Sequence, residues 1–178
     1  MRNPQFKMTR IGLLSDTHGY LDARILEYLK ECDEIWHAGD FGTIAVAEQL
    51  RKIAPVRGVY GNIDGQDVRV QFPKKLRFYC EQLDVLMTHI GGYPGRYSLD
   101  IREEIYRNPP GLFITGHSHI LKVMPDKARL PLLHINPGAA GRHGFHKVRT
   151  LVRFTVDGKK IQDLQAIELG PRTLPAEV

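Results

Sequence analysis

Seven side chains of the kind that bind metal ions follow short apolar segments of this 178-residue chain. They are Asp16, His18, Asp40, Asn62, His89, His117 and His119. Imidazole nitrogens and carboxylate oxygens bind divalent transition metals, and an asparagine adds a neutral carbonyl oxygen. Seven ligands are too many for one tetrahedral ion, but they are enough for two ions that share a bridging carboxylate. Two ions about 3.5–4 Å apart can hold a hydroxide and stabilise a phosphoryl group during its transfer, so the set predicts a two-metal hydrolytic site.

The spacing within the pairs favours the same interpretation. His117 and His119 are two residues apart, and side chains at that spacing on extended backbone point the same way. Just beyond a strand, each can bind one of two neighbouring ions, and the same holds for Asp16 and His18. Taken alone, the pair at 117 and 119 is equally consistent with chance. The interpretation therefore depends on the rest of the set.

The elements that must position these residues are strands that end just before them. In the first half, apolar segments at 10–16, 34–40 and 55–62 alternate with helical patterns at 21–32 and 44–53. This βαβαβ order predicts a parallel sheet with helices on its faces. Ligands of such sheets bind at the carboxyl ends of the strands, so residues far apart in sequence meet there.

The second half contains more predicted strands that need not be parallel. A helix is predicted at 98–108, and Asp157-Gly158 indicates a hairpin. The strands are predicted at 75–81, 83–89, 112–116, 131–136, 148–156 and 160–169. We expect one domain over residues 1–178, with loose tails at 1–8 and 171–178.

The composition is that of a soluble globular protein, with 42% hydrophobic and 25% charged residues. No apolar run approaches the roughly 20 residues that span a bilayer, so we expect no membrane partner and a cytoplasmic location. The two cysteines form no disulfide framework. A net charge of +5 permits an anionic partner, but the basic residues are scattered, so we do not expect binding to long nucleic acid.

The motifs, in their order, resemble those of the calcineurin-like metallophosphoesterase superfamily. They are D-x-H at 16–18, GD at 39–40, GN at 61–62, His89 and GHxH at 116–119. The chain length and GNID at 61–64 resemble its small phosphodiesterase branch of bacteria and archaea, and NPGAAG at 136–141 resembles an NPGS-type motif of that branch.

The resemblance implies an α/β fold, a four-layer αββα sandwich of two mixed β-sheets flanked by helices. It implies that a bridging hydroxide attacks phosphorus, with Asp40 as the bridging ligand and with Asp40 and His117 essential for catalysis. The first ion would be bound by Asp16, His18 and His119, and the second by Asn62, His89 and His117. Manganese is the first choice for both ions, and iron, zinc and nickel are the alternatives.

The chain departs from the family pattern at two places. Ile63 replaces a histidine that helps to protonate the leaving group, and Ile90 interrupts an H-G-H motif. We therefore expect poor leaving groups to react slowly. The segment 91–97 is expected to form a flexible flap over the site, and Asp64 is a candidate supporting residue.

Two arginines in nearby loops, Arg96 and Arg142, are candidates for binding the substrate phosphate, with a solvated surface position as the alternative for each. The other histidines are not expected to be ligands. His143 and His146 are interpreted as surface or supporting residues, His37 as packed or supporting, and His134 as part of the core.

The leading hypothesis is a metal-dependent phosphodiesterase acting on a small phosphodiester, nucleotides included. A catalytically weak metal-binding scaffold or protein-interaction module of the same superfamily is the main alternative. A nuclease is less favoured because 178 residues leave no room for a further domain that grips DNA. The sequence leaves open whether the chain forms a homodimer.

Overall fold

The computed structural model describes residues 8–173, and they form two mixed five-stranded sheets, a small two-stranded sheet and four helices. The helices are α1 (Ala23–Leu29), α2 (Ile44–Arg51), α3 (Gln66–Arg69) and α4 (Leu99–Arg107). None of the helices in this part of the chain is long and apolar enough to cross a membrane.

The first sheet contains the predicted βαβαβ unit. Its strands are β1 (Thr9–Leu14), β2 (Glu34–His37), β3 (Val56–Gly58), β11 (Val148–Asp157) and β12 (Lys160–Pro171). They lie in the order β12-β11-β1-β2-β3, with β1, β2 and β3 parallel and β11 antiparallel to both of its neighbours. The turn at Asp157-Gly158 joins β11 and β12 as an antiparallel hairpin, as predicted.

The second sheet has a parallel centre with antiparallel edges. Its strands are β4 (Lys75–Cys80), β5 (Leu83–Thr88), β8 (Leu112–Ile114), β9 (Leu121–Pro125) and β10 (Leu133–Pro137). Their order is β4-β5-β8-β10-β9, and β5, β8 and β10 run parallel. The two-stranded sheet pairs β6 (Gly92–Tyr93) with β7 (Arg96–Tyr97).

The apolar core places these elements in four layers, as expected from the family resemblance. Trp36 and Val152 of the first sheet pack in one buried cluster with Val85 and Ile114 of the second sheet. A second cluster lies between the first sheet and α1, α2 and α3, and a third lies between α4 and the second sheet. Each fully buried aliphatic or aromatic side chain contributes about 1.5–3 kcal/mol, so these clusters hold the two sheets face to face.

Some elements differ from the sequence-based expectation. The helix predicted at 21–32 is shorter at both ends: it ends at Leu29, and it begins at Ala23 because Asp22 caps its first turn by accepting a hydrogen bond from the Ile25 N–H. Strand β9 and helix α3 were not predicted, and the flap at 91–97 contains the β6–β7 hairpin. Strand β12 continues to Pro171, inside the tail predicted to be loose, whereas the predicted tail residues 1–7 and 174–178 lie outside the described residues.

His134 on β10 lies in the core, as predicted, and is only 1% exposed. Its Nε2 lies 2.9 Å from Thr115 Oγ1. Burial, and to a smaller extent Lys122, lowers the pKa of His134 to about 4. The folded protein therefore holds this imidazole neutral at pH values where the unfolded chain protonates it.

Stability is expected to fall on mild acidification because of His134. Its pKa is lowered by folding, so its contribution is complete above the unfolded value of about 6.5 and is lost as the pH falls toward 4. We expect the free energy of unfolding to drop by about 2 kcal/mol between about pH 7 and pH 5 from this group alone. Urea unfolding of chelator-treated protein measures the drop.

The control variant is His134→Gln, whose amide group can replace Nε2 as the hydrogen-bonding partner of Thr115 and does not titrate. It should lose about 2 kcal/mol less than the wild type over the same pH interval. An equal pH dependence in both proteins would contradict the assignment.

Candidate metal centre

The seven candidate ligands lie in the loops that follow five strands. Asp16 and His18 come after β1, and Asp40 comes after β2. The loops after β3, β5 and β8 supply the rest, which are Asn62, His89, His117 and His119. The structure thus brings together residues that are up to 103 positions apart, the difference between 119 and 16.

The side chains form two groups, each with ligand atoms within 4.8 Å of one another. One group contains Asp16, His18 and His119, and the other contains Asp40, His89 and His117. Asn62 joins the second group, because its Oδ1 lies 3.1 Å from His89 Nε2. Asp40 also approaches the first group, with its Oδ2 3.7 Å from His18 Nε2.

Hydrogen bonds behind His119 determine which of its ring nitrogens carries a proton. His146 Nε2 lies 3.0 Å from the Gly141 carbonyl, which can only accept, so His146 Nδ1 is left as an acceptor in the neutral ring. That acceptor is 3.2 Å from His119 Nδ1, which must then donate. The lone pair of His119 Nε2 therefore faces Asp16 Oδ1 at 3.1 Å, an arrangement of two acceptors that needs a cation or a shared proton between them.

His89 has the same arrangement in the second group. Its Nδ1 donates to the Ala38 carbonyl at 2.7 Å, and its Nε2 lies 3.1 Å from Asn62 Oδ1 and 3.3 Å from Asp40 Oδ2. Burial lowers the pKa of His89, but Asp40, Asp16 and the Ala38 carbonyl outweigh it and raise the pKa, so a proton on Nε2 occupies the place that a metal ion would take. Backbone carbonyls commonly orient metal-binding imidazoles in this way, which fixes the tautomer and leaves the other nitrogen free for the metal.

A shared proton cannot satisfy every acceptor in the first group. His18 Nε2 and Asp16 Oδ1 are buried without a hydrogen-bonding partner of acceptable geometry, and they lie 3.9 Å apart, which is too far for a hydrogen bond. Two ligands about 2.1 Å from one ion are roughly 3–4 Å apart. The residues present therefore fit a divalent ion in each group.

Both carboxylates are ionised at neutral pH, as metal ligands must be. Burial raises the pKa of Asp16, but His119, His89 and the Ser15 hydroxyl outweigh it and lower the pKa below the usual value. Burial likewise opposes ionisation of Asp40, and His89, the Ile63 N–H and His18 together lower its pKa. The two carboxylates thus place two negative charges within the cluster of imidazoles.

Five of the seven candidate ligands have left-handed backbone, which non-glycine residues rarely adopt. They are Asp16, His18, Asp40, His117 and His119. Such strained conformations persist only where the surroundings fix them, and they concentrate at functional sites. Here the loops are held by backbone hydrogen bonds from the Asp16 and His18 N–H groups to the loop after β2, and by the His117 N–H, which donates to Asp16 Oδ2.

Asp64 does not belong to either ligand group, but it holds two of the ligand-bearing loops together. Its two carboxylate oxygens accept hydrogen bonds from the Gly42 and Gly61 N–H groups at 2.8 and 2.7 Å, which joins the loops after β2 and β3. Gly61 can only be glycine, because a Cβ there would collide with Asp40. Asp64 therefore fixes the relative positions of Asp40 and Asn62.

Replacing Asp64 with alanine is expected to weaken metal binding by about 10–100-fold, since supporting residues of metal sites have effects of this size. Calorimetric titration of the metal-free protein with Mn²⁺ measures this affinity. The matched control is Asp67→Ala, which removes an exposed carboxylate that accepts only from the Ile44 N–H. Equal Mn²⁺ affinities for the two variants would show that Asp64 does not position the ligands.

Two further polar residues hold the loops of the centre. Asn136, from the NPGAAG segment, donates to the Gly116 carbonyl at 2.8 Å and to Ser118 Oγ at 3.1 Å, and so supports the loop that carries His117. His37 is buried and accepts a hydrogen bond from the Gly39 N–H, and burial lowers its pKa to about 3. His37 is thus a packed, neutral support for the Asp40 loop.

The structure separates the two arginines proposed to bind substrate. Arg96 is exposed on β7 and lines a cleft that His117 also lines. The Arg142 guanidinium lies over the Tyr20 ring at 4.7 Å and does not line the cleft over the metal ligands. His143 does line that cleft, with its ring 4.9 Å from the His18 ring.

Sequence analysis identified Ile63 but missed the other two residues of the apolar rim of this cleft. Ile63, Ile120 and Phe145 line it and are exposed, Phe145 completely. No periodicity or motif marks Ile120 or Phe145, because their exposure depends on how the loops pack.

An αββα sandwich with two such clusters at one edge of its sheets is the architecture of a metal-binding phosphoesterase. A family model for the calcineurin-like phosphoesterase superfamily domain matches residues 9–159, and the chain belongs to this superfamily. A curated relative, a probable metallophosphoesterase from Methanothermobacter thermautotrophicus, is 25% identical over 167 residues, covering 90% of this chain and 92% of that protein.

Solved structures show the same fold. Wild-type Vps29 from Entamoeba histolytica, complexed with Zn²⁺, superposes with a TM-score of 0.69 at 13% identity, covering 92% of this chain and 99% of that one. A structure described as a novel archaeal phosphodiesterase has a TM-score of 0.66 at 21% identity, covering 90% of this chain and 99% of that one. Protein TM1076 of Thermotoga maritima also has a TM-score of 0.66, at 24% identity, with coverage of 90% and 99%.

Proposed function

We propose that this protein is a metal-dependent phosphodiesterase that hydrolyses small phosphodiesters at a two-metal site. The observation that carries the proposal is the pair of ligand groups, Asp16, His18 and His119 beside Asp40, His89 and His117. In each group, a ring nitrogen lies within 3.3 Å of a carboxylate oxygen. The superfamily supplies phosphoester chemistry, and the archaeal phosphodiesterase structure supports the diester assignment.

The chain's own residues have separable roles in this proposal. Asp40 lies between the groups, with its Oδ2 3.3 Å from His89 Nε2 and 3.7 Å from His18 Nε2, and is proposed to bind both ions. His117 is exposed at the cleft and is proposed to complete the ligands of the second ion there. Two divalent ions, with Mn²⁺ as our first choice, would polarise the phosphoryl oxygens and lower the pKa of bound water.

The space around the centre suits a diester. One cleft adjoins it at His117, and another adjoins it at Asn62 and His89. A phosphodiester carries two esterified groups, and each can occupy one cleft while the phosphate stays over the metal ligands. We propose a small diester as the substrate, nucleotides included. We also propose that the protein is located in the cytoplasm.

Hydrolysis of bis(p-nitrophenyl) phosphate and of p-nitrophenyl phosphate tests the proposal. Chelator-treated protein should be inactive, and added Mn²⁺ should restore diester turnover above monoester turnover. Full diester turnover in excess chelator would overturn the two-metal site. Faster monoester turnover would reassign the enzyme as a phosphomonoesterase.

A catalytically weak scaffold is the second candidate. Ile63 favours it, because an exposed alkyl side chain occupies the position where the family pattern has a proton-donating histidine. The Vps29 structures show that the same fold occurs in a vacuolar sorting protein. Two bound metals without turnover of either ester would establish this alternative.

A further inference from the structure

The cleft that adjoins the centre at His117 has a distinct composition. It has a volume of about 300 Å³, at the lower end of small-molecule sites, and lies between the β6–β7 hairpin and strands β9 and β10. His117, Ser118 and Ile120 line both this cleft and the cleft over the metal ligands, so the two are adjacent. We call it the flap cleft.

Two cations line the flap cleft without a carboxylate. Lys122 lies with its Nζ 3.6 Å from the centre of the Tyr93 ring, and Arg96 pairs with Tyr93 across the β6–β7 hairpin. Directly paired residues of a hairpin project to the same face, so Arg96 is on the face of the hairpin that carries the Tyr93 ring. Among the residues that the structure describes, no carboxylate lines the flap cleft and neither cation forms an ion pair.

The cleft on the other side of the centre differs in this respect. Its Lys74 is paired with Asp100 at 3.1 Å. Its Arg69 donates to the backbone carbonyls of Asp64 and Asn62. Both cations of the opposite cleft thus already have hydrogen-bonding partners. Within the described residues the side chains of Arg96 and Lys122 have none, so the His117 side has the donors that can bind an anion.

A buried polar group also lines the flap cleft. His134 Nδ1 has no hydrogen-bonding partner, although its residue is 99% buried, and its Nε2 contacts Thr115 Oγ1. This nitrogen is itself inaccessible, so the groups that can contact a ligand in the cleft are the two cations and the Tyr93 ring.

We propose that the flap cleft binds a second anionic group, a phosphate or a carboxylate, carried by one of the two alcohols of the diester. Lys122 and Arg96 are then specificity-determining residues, and the Tyr93 ring holds Lys122 in place. The inference rests on the proposed function, because it places the scissile phosphate over the metal ligands. The preferred substrate is a diester with a charged substituent rather than a simple alkyl or aryl diester.

Two substrates that differ in one group test this inference. They are the p-nitrophenyl ester of thymidine 5′-phosphate and the same ester with a 3′-phosphate. The extra phosphate should raise kcat/KM by about tenfold, the size of one charge-assisted hydrogen bond. A third ester with a 3′-succinyl group distinguishes carboxylate from phosphate.

The variants Lys122→Met and Arg96→Gln should reduce the ratio of the two kcat/KM values toward one, whereas Lys74→Met in the opposite cleft should leave the ratio high. A wild-type ratio near one for both the phosphorylated and the succinylated ester would overturn the inference. So would a high ratio that survives in Lys122→Met combined with Arg96→Gln.

Binding separates this inference from the proposed function. Calorimetry on the manganese-loaded protein compares thymidine 3′,5′-bisphosphate with thymidine 5′-phosphate. If the bisphosphate binds more tightly and Lys122→Met loses this difference, the flap cleft is supported even when no diester is hydrolysed. The absence of hydrolysis would overturn only the proposed phosphodiesterase activity. Equal binding of the two nucleotides overturns the flap cleft even if diesters are hydrolysed.

Discussion

Substitution of Asp40 by alanine is expected to reduce metal-dependent diester hydrolysis by at least about 10³-fold, since the loss of one ion's stabilisation of the transition state costs several kcal/mol. Asp40 Oδ2 lies 3.3 Å from His89 Nε2 of the second group and 3.7 Å from His18 Nε2 of the first. Asp16 is further from the group to which it does not belong, with its Oδ1 3.9 Å from His89 Nε2. Removal of Asp40 takes a shared ligand from both proposed ions. The measurement is kcat/KM for bis(p-nitrophenyl) phosphate with saturating Mn²⁺, together with elemental analysis of bound metal.

Two further variants separate charge from structure. Asp40→Asn keeps an acceptor for the Ile63 N–H, so the loop after β3 should stay in place while the bridging charge is lost. It should lose nearly as much activity as the alanine variant and unfold at nearly the wild-type temperature. The control is Asp67→Asn, which removes an exposed carboxylate of α3. Its kcat/KM should stay within about twofold of the wild-type value, because substitutions at exposed positions have small effects. An Asp40→Ala protein that binds two ions and keeps more than a tenth of the activity would contradict the bridging role.

The positions of the candidate ligands could be inferred from the sequence because strand ends and short polar motifs are local features. Asp16 and His18 follow an apolar strand directly, and the parallel βαβαβ order places the ends of β1, β2 and β3 at one edge. The fold class followed from the same alternation and from the family resemblance. The strand order determines which residues meet at the edge of a sheet, and this order could be predicted from the sequence of strands and helices along the chain.

The environment of the ligands could not be inferred in the same way. The pairing of His119 with His146 joins loops 27 residues apart, and no local pattern encodes it. Arg142 looked equivalent to Arg96 in sequence, but packing on the Tyr20 ring directs its guanidinium away from the cleft lining. Strand β9 was missed because three of its five residues are exposed, so it lacks the apolar alternation that marks a half-buried strand.

The leaving group is where this chain should differ most from relatives with a histidine at position 63. Ile63 is 46% exposed and lines the cleft together with Asp40 and His117, so an imidazole at this position would face the bound ester. Its backbone N–H donates to Asp40 Oδ1, and that bond does not depend on the side chain. Exchange of the side chain should therefore change proton donation without moving the ligands.

Ile63→His is expected to raise the hydrolysis of alkyl diesters by about 10²-fold, the lower end of what a general acid contributes. Turnover of bis(p-nitrophenyl) phosphate should change little, because p-nitrophenolate leaves without protonation. The gain should decline as the pH rises through the pKa of the new imidazole, near 6.5 for an exposed histidine, because only the protonated ring donates. The measurement is the rate of hydrolysis of methyl p-nitrophenyl phosphate and of dimethyl phosphate by the wild type and by Ile63→His, each as a function of pH.

The control is Ile63→Asn, which is polar but does not titrate. If it raises alkyl diester turnover as much as Ile63→His does, better solvation of the cleft explains the gain and proton donation does not. If neither variant raises it, while both still hydrolyse the p-nitrophenyl diester, cleavage of the ester bond is not limited by the leaving group. The isoleucine would then be a feature of substrate binding, in keeping with the apolar rim that it forms with Ile120 and Phe145.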